Sequence, residues 1–226
     1  MLNIEKIQAA NHILLRVDSD SFANASAIYS YILTLHKKVS LSSFEEIDAR
    51  LSFLPWFLKL KKQEPSSADY VLDIHKDVLV YVEFFQNNAI KINKKMATAM
   101  YAGLLLRYDN FSSAESDGIV FATASQLIAF GAEHNIVHKN IVRSRALSYF
   151  RLEAILYKNM LLRSNAKEAE LLVSDEDLKS SGASMKDAIK IMQEVLHLVH
   201  VKKVVLKKSD ENMKIIKTIE EIKFEK

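Results

Sequence analysis

The 226-residue sequence contains no cysteine and has only four glycines and two prolines. Without cysteine, the chain cannot form disulfides, use a thiolate nucleophile or build cysteine-based zinc or iron–sulfur sites. Glycine and proline mark tight turns, so their scarcity predicts a protein rich in helices. No apolar run approaches the roughly 20 residues that a membrane-spanning helix needs, and residues 1–10 include charges instead of a signal-peptide core. We therefore expect a cytoplasmic protein.

The composition is otherwise that of an ordinary globular protein, with 49% hydrophobic and 26% charged residues. A chain of this length can bury one large core or two smaller ones. The net charge of +3 is too small to indicate nucleic-acid binding by itself.

Residues 96–111 give the strongest helix signal in the chain. Their apolar side chains recur at three- and four-residue steps, and small residues such as Gly103 allow close packing against a neighbour. Asn93 stands where a helix cap is expected. The apolar run stops at Arg107 and gives way to a polar loop that contains Asp109. We predict a core helix that ends at this loop.

Short apolar runs followed by polar loops predict the strands of a parallel sheet. Residues 13–15 have the pattern of a buried strand, and a polar loop over residues 16–21 separates them from a helix. Residues 39–41 and 71–75 predict two further strands. In α/β folds, a strand, a loop and a helix in this order present ligands at the carboxyl end of the sheet. We therefore predict an α/β fold with a parallel sheet flanked by helices.

Residues 47–60 place apolar side chains at helical spacing around Trp56, the only tryptophan. The pattern predicts a helix. Its aromatic residues could form a base-stacking platform, but aromatic side chains on an apolar helix belong more often to a core or an interface, which is the interpretation we favour.

The later part of the chain predicts a helix over residues 121–132, closed by Gly131. Beyond residue 162 the elements become shorter, which predicts a small second α/β domain. Its expected elements are a strand over residues 169–173, helices capped by Ser174 and Ser184, and a hairpin of residues 201–207 with 213–219. The predicted domains are residues 1–162 and 163–226.

The helix over residues 96–111 resembles the fourth motif of the DHH family of phosphoesterases. In that family the helix reads approximately A-x-x-L-Y-x-G-I-x-x and ends in D-T-x-x-F, whose Asp binds manganese. Arg107 stands at the position of that Asp. Residues 16–27 resemble the first motif, H-x-N-P-D-x-D-A-x-G-S-A, with Asp20 on its first Asp. Phe22 replaces the second Asp, and Arg16 replaces the His.

The segment Asp73-Ile74-His75 fits this resemblance in two ways. It matches a remnant of the D-H-H signature, with Asp73 on its Asp and His75 on its second His. It matches equally the preceding motif, a strand that ends in one Asp. In either case Asp20, Asp73 and His75 are the residual metal-ligand candidates that the resemblance leaves.

Residues 173–178, with the sequence VSDEDL, resemble the V-T-x-E-D-x start of the DHHA1 domain. This domain follows the DHH domain in small phosphoesterases of the oligoribonuclease and phosphoadenosine-phosphate phosphatase type. The glycine-rich G-G-G-H segment that contacts the substrate there has no counterpart among the 226 residues. The resemblance therefore implies a DHH-like domain followed by a truncated DHHA1-like domain in a bacterial protein.

The replacements change what this pocket can bind. A two-manganese phosphoesterase needs carboxylate and imidazole ligands, and all three replacements shift the formal charge upward. We therefore expect a pseudoenzyme without a cofactor, with manganese required only if activity survives. The pocket comprises seven candidate residues: Arg16, Asp20, Phe22, Asp73, His75, Arg107 and Asp109. We further hypothesise that Arg16 and Arg107 converge and pair with Asp20 and Asp73, or bind a phosphate.

Two function classes remain open. The first, which we favour, is a binding or assembly module with a protein or nucleotide partner, forming a homodimer as the family often does. The second is a divergent metal-dependent phosphodiesterase that acts on short oligonucleotides or phosphorylated nucleotides.

Overall fold

The computed structural model describes residues 2–210 and 212–220. Its contacts divide the chain into two compact units, Met1–Ser144 and Arg145–Lys226, each with its own core. The predicted boundary follows residue 162, whereas the contact boundary precedes the helix that carries Leu152 and Leu156. Both side chains are fully buried in the core of the second unit, so this helix belongs to it.

A four-stranded parallel sheet forms the centre of the first unit in the part of the chain that is described. Its strands in chain order are β1 (His12–Arg16), β2 (Lys38–Ser42), β3 (Leu60–Lys61) and β4 (Tyr70–Asp73). They lie in the order β3-β2-β1-β4, and every pairing is parallel. The carboxyl ends of all strands therefore meet at one edge of the sheet, and the register places Arg16 level with Ser42 and Asp73 there.

Helices surround this sheet. They are α1 (Ile4–Ala9), α2 (Phe22–Thr34), α3 (Leu79–Asn87), α4 (Lys94–Arg107), α5 (Gly118–Ala129) and α6 (His134–Val137), followed by the π-helical turn His138–Val142. The predicted fold class, an α/β fold with a parallel sheet flanked by helices, is confirmed. No helix in the described ranges combines the length and the apolar character that a membrane crossing requires.

The caps predicted for α4 and α5 are present. The side chain of Asn93 accepts the N–H of Met96 at 3.1 Å, which satisfies one of the free donors in the first turn of α4. Gly131 has a φ of 93° just after the end of α5, a backbone conformation that glycine adopts without strain.

Close contact between α2 and α4 depends on a glycine. Asn24 of α2 is fully buried, and its Nδ2 donates to the carbonyls of His75 and Lys76 at 3.0 Å each. Its Oδ1 faces α4 at Gly103, where an added Cβ would lie 2.4 Å from that oxygen. The two helices can therefore approach only because position 103 has no side chain.

The prediction of a helix over residues 47–60 is wrong. The segment forms two short 3-10 turns, Ala49–Leu51 and Phe57–Lys59, and then enters β3. Pro55 has no N–H to donate, and Trp56 has a φ of 72°, which a right-handed helix does not contain. The apolar residues have helical spacing because each of the two separate turns buries some of its side chains.

The aromatic side chains of this segment pack against the core of the first unit. Trp56 stacks on Tyr29 with a centroid distance of 4.9 Å, and its Nε1 donates to Ser30 Oγ at 2.8 Å. Such packing is that of a half-buried core residue.

The second unit contains the helices α7 (Leu147–Lys158), α8 (Asp175–Ser181) and α9 (Met185–Val195). Its sheet contains β5 (Leu161–Arg163), β6 (Glu168–Val173), β7 (Lys203–Lys208) and β8 (Lys214–Glu220), in that spatial order. The predicted capping serines are confirmed, because Ser174 and Ser184 form capping boxes with Asp177 and Asp187. The predicted hairpin is β7–β8, with Glu211 of its turn outside the described residues. Strand β5 was not predicted.

Replacing Gly103 with Ala should destabilise the first unit. The new Cβ would lie 2.4 Å from Asn24 Oδ1 in a closed core, and overpacking of this kind costs about 1–3 kcal/mol of unfolding free energy. Gly118→Ala is the matched control, because nothing lies within 4 Å of its Cβ and the change restricts the unfolded chain. Urea denaturation measures both variants. Equal midpoints would contradict the close contact.

Candidate functional site

The carboxyl edge of the parallel sheet is organised around Arg16, the last residue of β1. Its Nε donates to Glu64 Oε1 at 2.6 Å and its Nη2 donates to Glu64 Oε2 at 2.9 Å. Its Nη1 lies 3.7 Å from Asp73 Oδ1 on the neighbouring strand. The guanidinium of Arg16 therefore forms a bidentate ion pair with Glu64 and lies next to the carboxylate of Asp73.

Glu64 lies in the loop between β3 and β4 and was not predicted as a site residue. Its hydrogen bonds with Arg16 are the main cause that holds the pKa of its carboxyl below the ordinary value, and Ser42 adds to the effect. Ser42 Oγ at the end of β2 lies 3.5 Å from Glu64 Oε1. The loop thus returns to the sheet edge and places its carboxylate over the ends of β1 and β2.

The polar loop after β1 is held by Asp18. Its Oδ1 accepts the backbone N–H of Ser21 at 2.8 Å and the Ser21 hydroxyl at 2.7 Å. These bonds close the turn that leads into α2. Asp20, the predicted metal-ligand candidate of this loop, has an exposed side chain.

Phe22 belongs to the hydrophobic core. It is fully buried at the start of α2, and its ring contacts Phe57 edge to face with a centroid distance of 5.5 Å. A carboxylate at this position would be surrounded by apolar side chains, so the residue is part of the packing and not of the polar edge.

The segment after β4 begins with a backbone hydrogen bond to β1, from the Ile74 N–H to the Arg16 carbonyl at 3.0 Å. Asp73 ends the strand with an exposed side chain, Ile74 is buried, and His75 is exposed. The Nδ1 of His75 accepts the backbone N–H of Asp77 at 3.0 Å, so one ring nitrogen is used within the loop itself. The His75 N–H donates to the hydroxyl of Tyr81, whose burial raises its pKa to about 12.

Arg107 ends α4 and has its own partners. Its Nη2 donates to Glu115, and its guanidinium lies 5.2 Å from the ring centroid of Tyr108. Burial raises the pKa of Tyr108, and the charge of Asp77 adds to the rise. Arg16 and Arg107 thus bind different carboxylates, Glu64 and Glu115.

The polar loop after α4 begins with a left-handed turn. Asp109, Asn110 and Phe111 have φ values of 45°, 55° and 68°, a conformation that residues other than glycine rarely adopt in succession. Asp109 Oδ2 accepts the Ser112 hydroxyl at 3.0 Å. The turn directs Phe111 toward Tyr101 and Phe121, with centroid distances of 6.4 and 5.3 Å.

These residues do not fit the dinuclear manganese centre that the family resemblance implies. The position of the family's His carries a guanidinium bound to Glu64, and the position of one Asp carries a core Phe. Within the described residues, no group of three His, Cys, Asp or Glu side chains is arranged to hold a metal ion. The donor set lacks the carboxylates and imidazoles that paired dications require.

The structure brings together only part of the predicted pocket. Arg16 and Asp73 meet as hypothesised, although Glu64 is the closer partner of Arg16. Asn24 was also missed, because it falls on a variable position of the resembling motif. The sequence around Glu64 does not indicate a site residue, since a single Glu beside Pro65 is typical of a loop.

Comparison with known structures identifies the fold. An exopolyphosphatase-related protein from Bacteroides fragilis superposes with a TM-score of 0.74 at 11% sequence identity, covering 93% of this chain and 79% of that chain. The chain shares the fold of that protein. A putative family II inorganic pyrophosphatase from Methanococcus jannaschii gives a TM-score of 0.46 at 11% identity, with 94% of each chain covered. No protein-family profile and no curated protein sequence matches this chain.

Replacing Arg16 with Gln should raise the pKa of the Glu64 carboxyl toward its ordinary value, because the main cause of its lowering is removed. In the wild type, a lowered pKa means that ionised Glu64 stabilises the fold above the ordinary Glu pKa of about 4.3, and this stabilisation is lost as the pH falls through the lowered value. The two proteins should therefore differ in stability at neutral pH and converge in acid.

A carbon-13 NMR titration of the Glu64 carboxylate, combined with urea denaturation at neutral and acidic pH, measures both effects. Arg151→Gln, at an exposed position of α7, is the control. An unchanged Glu64 titration in the Arg16 variant would show that the ion pair does not persist in solution.

Proposed function

We propose that this protein is a DHH-like pseudoenzyme that has lost manganese-dependent phosphodiesterase activity and serves as an assembly module. The observation that carries the proposal is the Arg16 guanidinium at the carboxyl end of the central strand, paired with Glu64 and next to Asp73. Arginine stays charged at every physiological pH, so it repels cations brought to this edge. In the proposed state, the ion pair takes the structural role that bound metals have in a catalytic relative.

The charges at the edge favour a protein partner over a nucleotide. Both guanidiniums already bind carboxylates, Arg16 to Glu64 and Arg107 to Glu115. A phosphate would have to displace one of these carboxylates in order to bind a guanidinium in a bidentate manner. Acidic residues also outnumber basic ones in the segments that follow the four strands, which disfavours a polyanionic ligand.

The competing function is a divergent metal-dependent phosphodiesterase acting on short oligonucleotides or phosphorylated nucleotides. The fold shared with an exopolyphosphatase-related protein is the observation that supports it. Such an enzyme would have to work with Asp20, Asp73 and His75, and with manganese as its cofactor. In the proposed pseudoenzyme these residues hold no metal.

Purified full-length protein, incubated with manganese and a short oligoribonucleotide or phosphoadenosine phosphate, should show no hydrolysis above the protein-free rate. Elemental analysis after dialysis against manganese should give well below the two ions per chain of a dinuclear enzyme, because the ligand set is incomplete.

Asp20→Ala tests the alternative, with Glu176→Ala at an exposed position of the second unit as its control. Manganese-dependent hydrolysis that Asp20→Ala abolishes and Glu176→Ala leaves intact would overturn the proposed loss of activity.

A further inference from the structure

A second polar cluster lies at the amino edge of the first sheet, at the other end of β1 from Arg16. His12 is the first residue of β1, and only 4% of its surface is exposed. Its Nδ1 lies 2.9 Å from Ser67 Oγ in the loop between β3 and β4, and its Nε2 lies 2.9 Å from Ser40 Oγ on β2. Both nitrogens of this buried imidazole are therefore hydrogen-bonded to serine hydroxyls, and Ser67 itself is exposed.

The cluster has the arrangement that activates a serine for nucleophilic attack. A serine hydroxyl becomes reactive when an adjacent imidazole takes its proton and a third group holds the imidazole in place. Each of the two hydrogen bonds must have a length of about 2.6–3.2 Å. The distances from His12 to Ser67 and to Ser40 both lie in this range. Ser67 is the serine of the pair that a reactant can approach from solvent, because its side chain is exposed.

The side chain of Lys38 distinguishes the two serines. Its Nζ lies 3.5 Å from Ser67 Oγ, so a positive charge faces the lone pairs of that oxygen. This charge favours the orientation in which the Ser67 hydroxyl donates to His12 Nδ1, which leaves the imidazole N–H at Nε2 to donate to Ser40. The same ammonium lies where it can stabilise negative charge that develops next to Ser67 during a reaction.

Asp69 supplies a negative charge close to His12. Its Oδ2 and Oδ1 accept the backbone N–H groups of Asn11 and His12 at 2.9 Å each. These hydrogen bonds hold the pKa of the Asp69 carboxyl below its ordinary value, so the group stays ionised at neutral pH. A negative charge held at the backbone of His12 offsets the positive charge that the imidazole gains when it accepts a proton.

We propose that Ser67 is a nucleophilic serine that activated acyl esters acylate, with His12 as its general base. The Ser67 oxygen attacks the ester carbonyl carbon while His12 Nδ1 takes the hydroxyl proton. A bond forms between Ser67 Oγ and the acyl carbon, and the bond from that carbon to the leaving oxygen breaks. His12 then gives the proton to the leaving group, so the products are acyl-Ser67 and a free alcohol.

The charges of the cluster favour an acyl donor over a phosphoryl donor. Attack on an ester develops one negative charge on the carbonyl oxygen, which the single ammonium of Lys38 can balance. In phosphoryl transfer the negative charge is spread over three oxygens and is offset by metal ions and further cations. The carboxylate of Asp69 would repel such a group.

The probe 4-nitrophenyl acetate tests the proposal on the full-length chain, because each acylation releases one coloured nitrophenolate. The wild type should give a burst of about one equivalent per chain, with the acetyl group located on Ser67 by peptide mass spectrometry. Ser67→Ala should abolish this burst, whereas Ser66→Ala, at the exposed neighbouring position, should keep it. No burst in the wild type, or a burst that Ser67→Ala retains, would overturn the proposal.

Replacing His12 with Gln tests whether the imidazole acts as a base. General-base catalysis contributes about 10²–10⁴-fold to a rate, so this variant should acylate Ser67 at least about 100-fold more slowly than the wild type. Circular dichroism checks that the variant is folded, since His12 is buried. Acylation of Ser67 at the wild-type rate without the imidazole would contradict the proposed mechanism.

Ser40 variants give a second measurement that does not remove the base. Ser40→Ala should slow acylation, because Nε2 loses the hydroxyl that orients the ring, and Ser40→Thr should restore the rate because it keeps a hydroxyl at the same position. A rate that is the same in Ser40→Ala as in the wild type would show that the imidazole is not oriented in this way, which the proposal requires.

The Ser67 site is separate from the chemistry of the carboxyl edge. His12 and Arg16 lie at opposite ends of the same strand, and the ester assay contains neither manganese nor a phosphodiester. Failure of the ester assay and failure of the oligonucleotide assay therefore contradict different proposals.

Discussion

The side-chain amide of Asn24 is the contact on which the sheet edge depends. Its two N–H groups bind the carbonyls of His75 and Lys76, and its oxygen faces Gly103. The amide thus joins the start of α2 to the loop after β4, while its oxygen faces Gly103 of α4 without a hydrogen-bond donor. Two unpaired N–H groups in the core would cost free energy, so α2 and this loop hold one relative position. Asp73 lies beside Arg16 because β1 and β4 pair in parallel with these two residues in register.

At the carboxyl edge of the sheet, the positive charge of Arg16 offsets the negative charges of nearby carboxylates. Arg16 contacts two carboxylates of like charge, Glu64 in the loop between β3 and β4 and Asp73 at the end of β4. In a metal-dependent site, dications neutralise such groups. Here a guanidinium does so from within the chain, with a rigid geometry that matches Glu64 atom for atom. A side chain of the protein itself therefore neutralises the Glu64 carboxylate at this edge.

Local sequence signals predicted the regular elements well, because apolar spacing and caps such as Asn93 act within a few residues. They failed over residues 47–60, where Pro55 and the positive φ of Trp56 interrupt an apparently helical pattern. The Arg16–Glu64 pair could not be predicted from the sequence for another reason. It joins residues 48 positions apart, and the return of a long loop to the sheet is decided by tertiary packing.

The segment that runs from α4 to α5 contains one residue that packs in the core and one charged residue at the resembling metal-ligand position. At the position that resembles a metal-binding Asp it carries Arg107, which pairs with Glu115. At the position that resembles the motif's Phe it keeps Phe111, packed between Tyr101 and Phe121. The packing residue remains compatible with the fold while the charged one is not compatible with a metal. Because Phe111 contacts Tyr101 of α4 and Phe121 of α5, the left-handed turn after α4 contributes to the packing of these two helices whatever the charge at position 107.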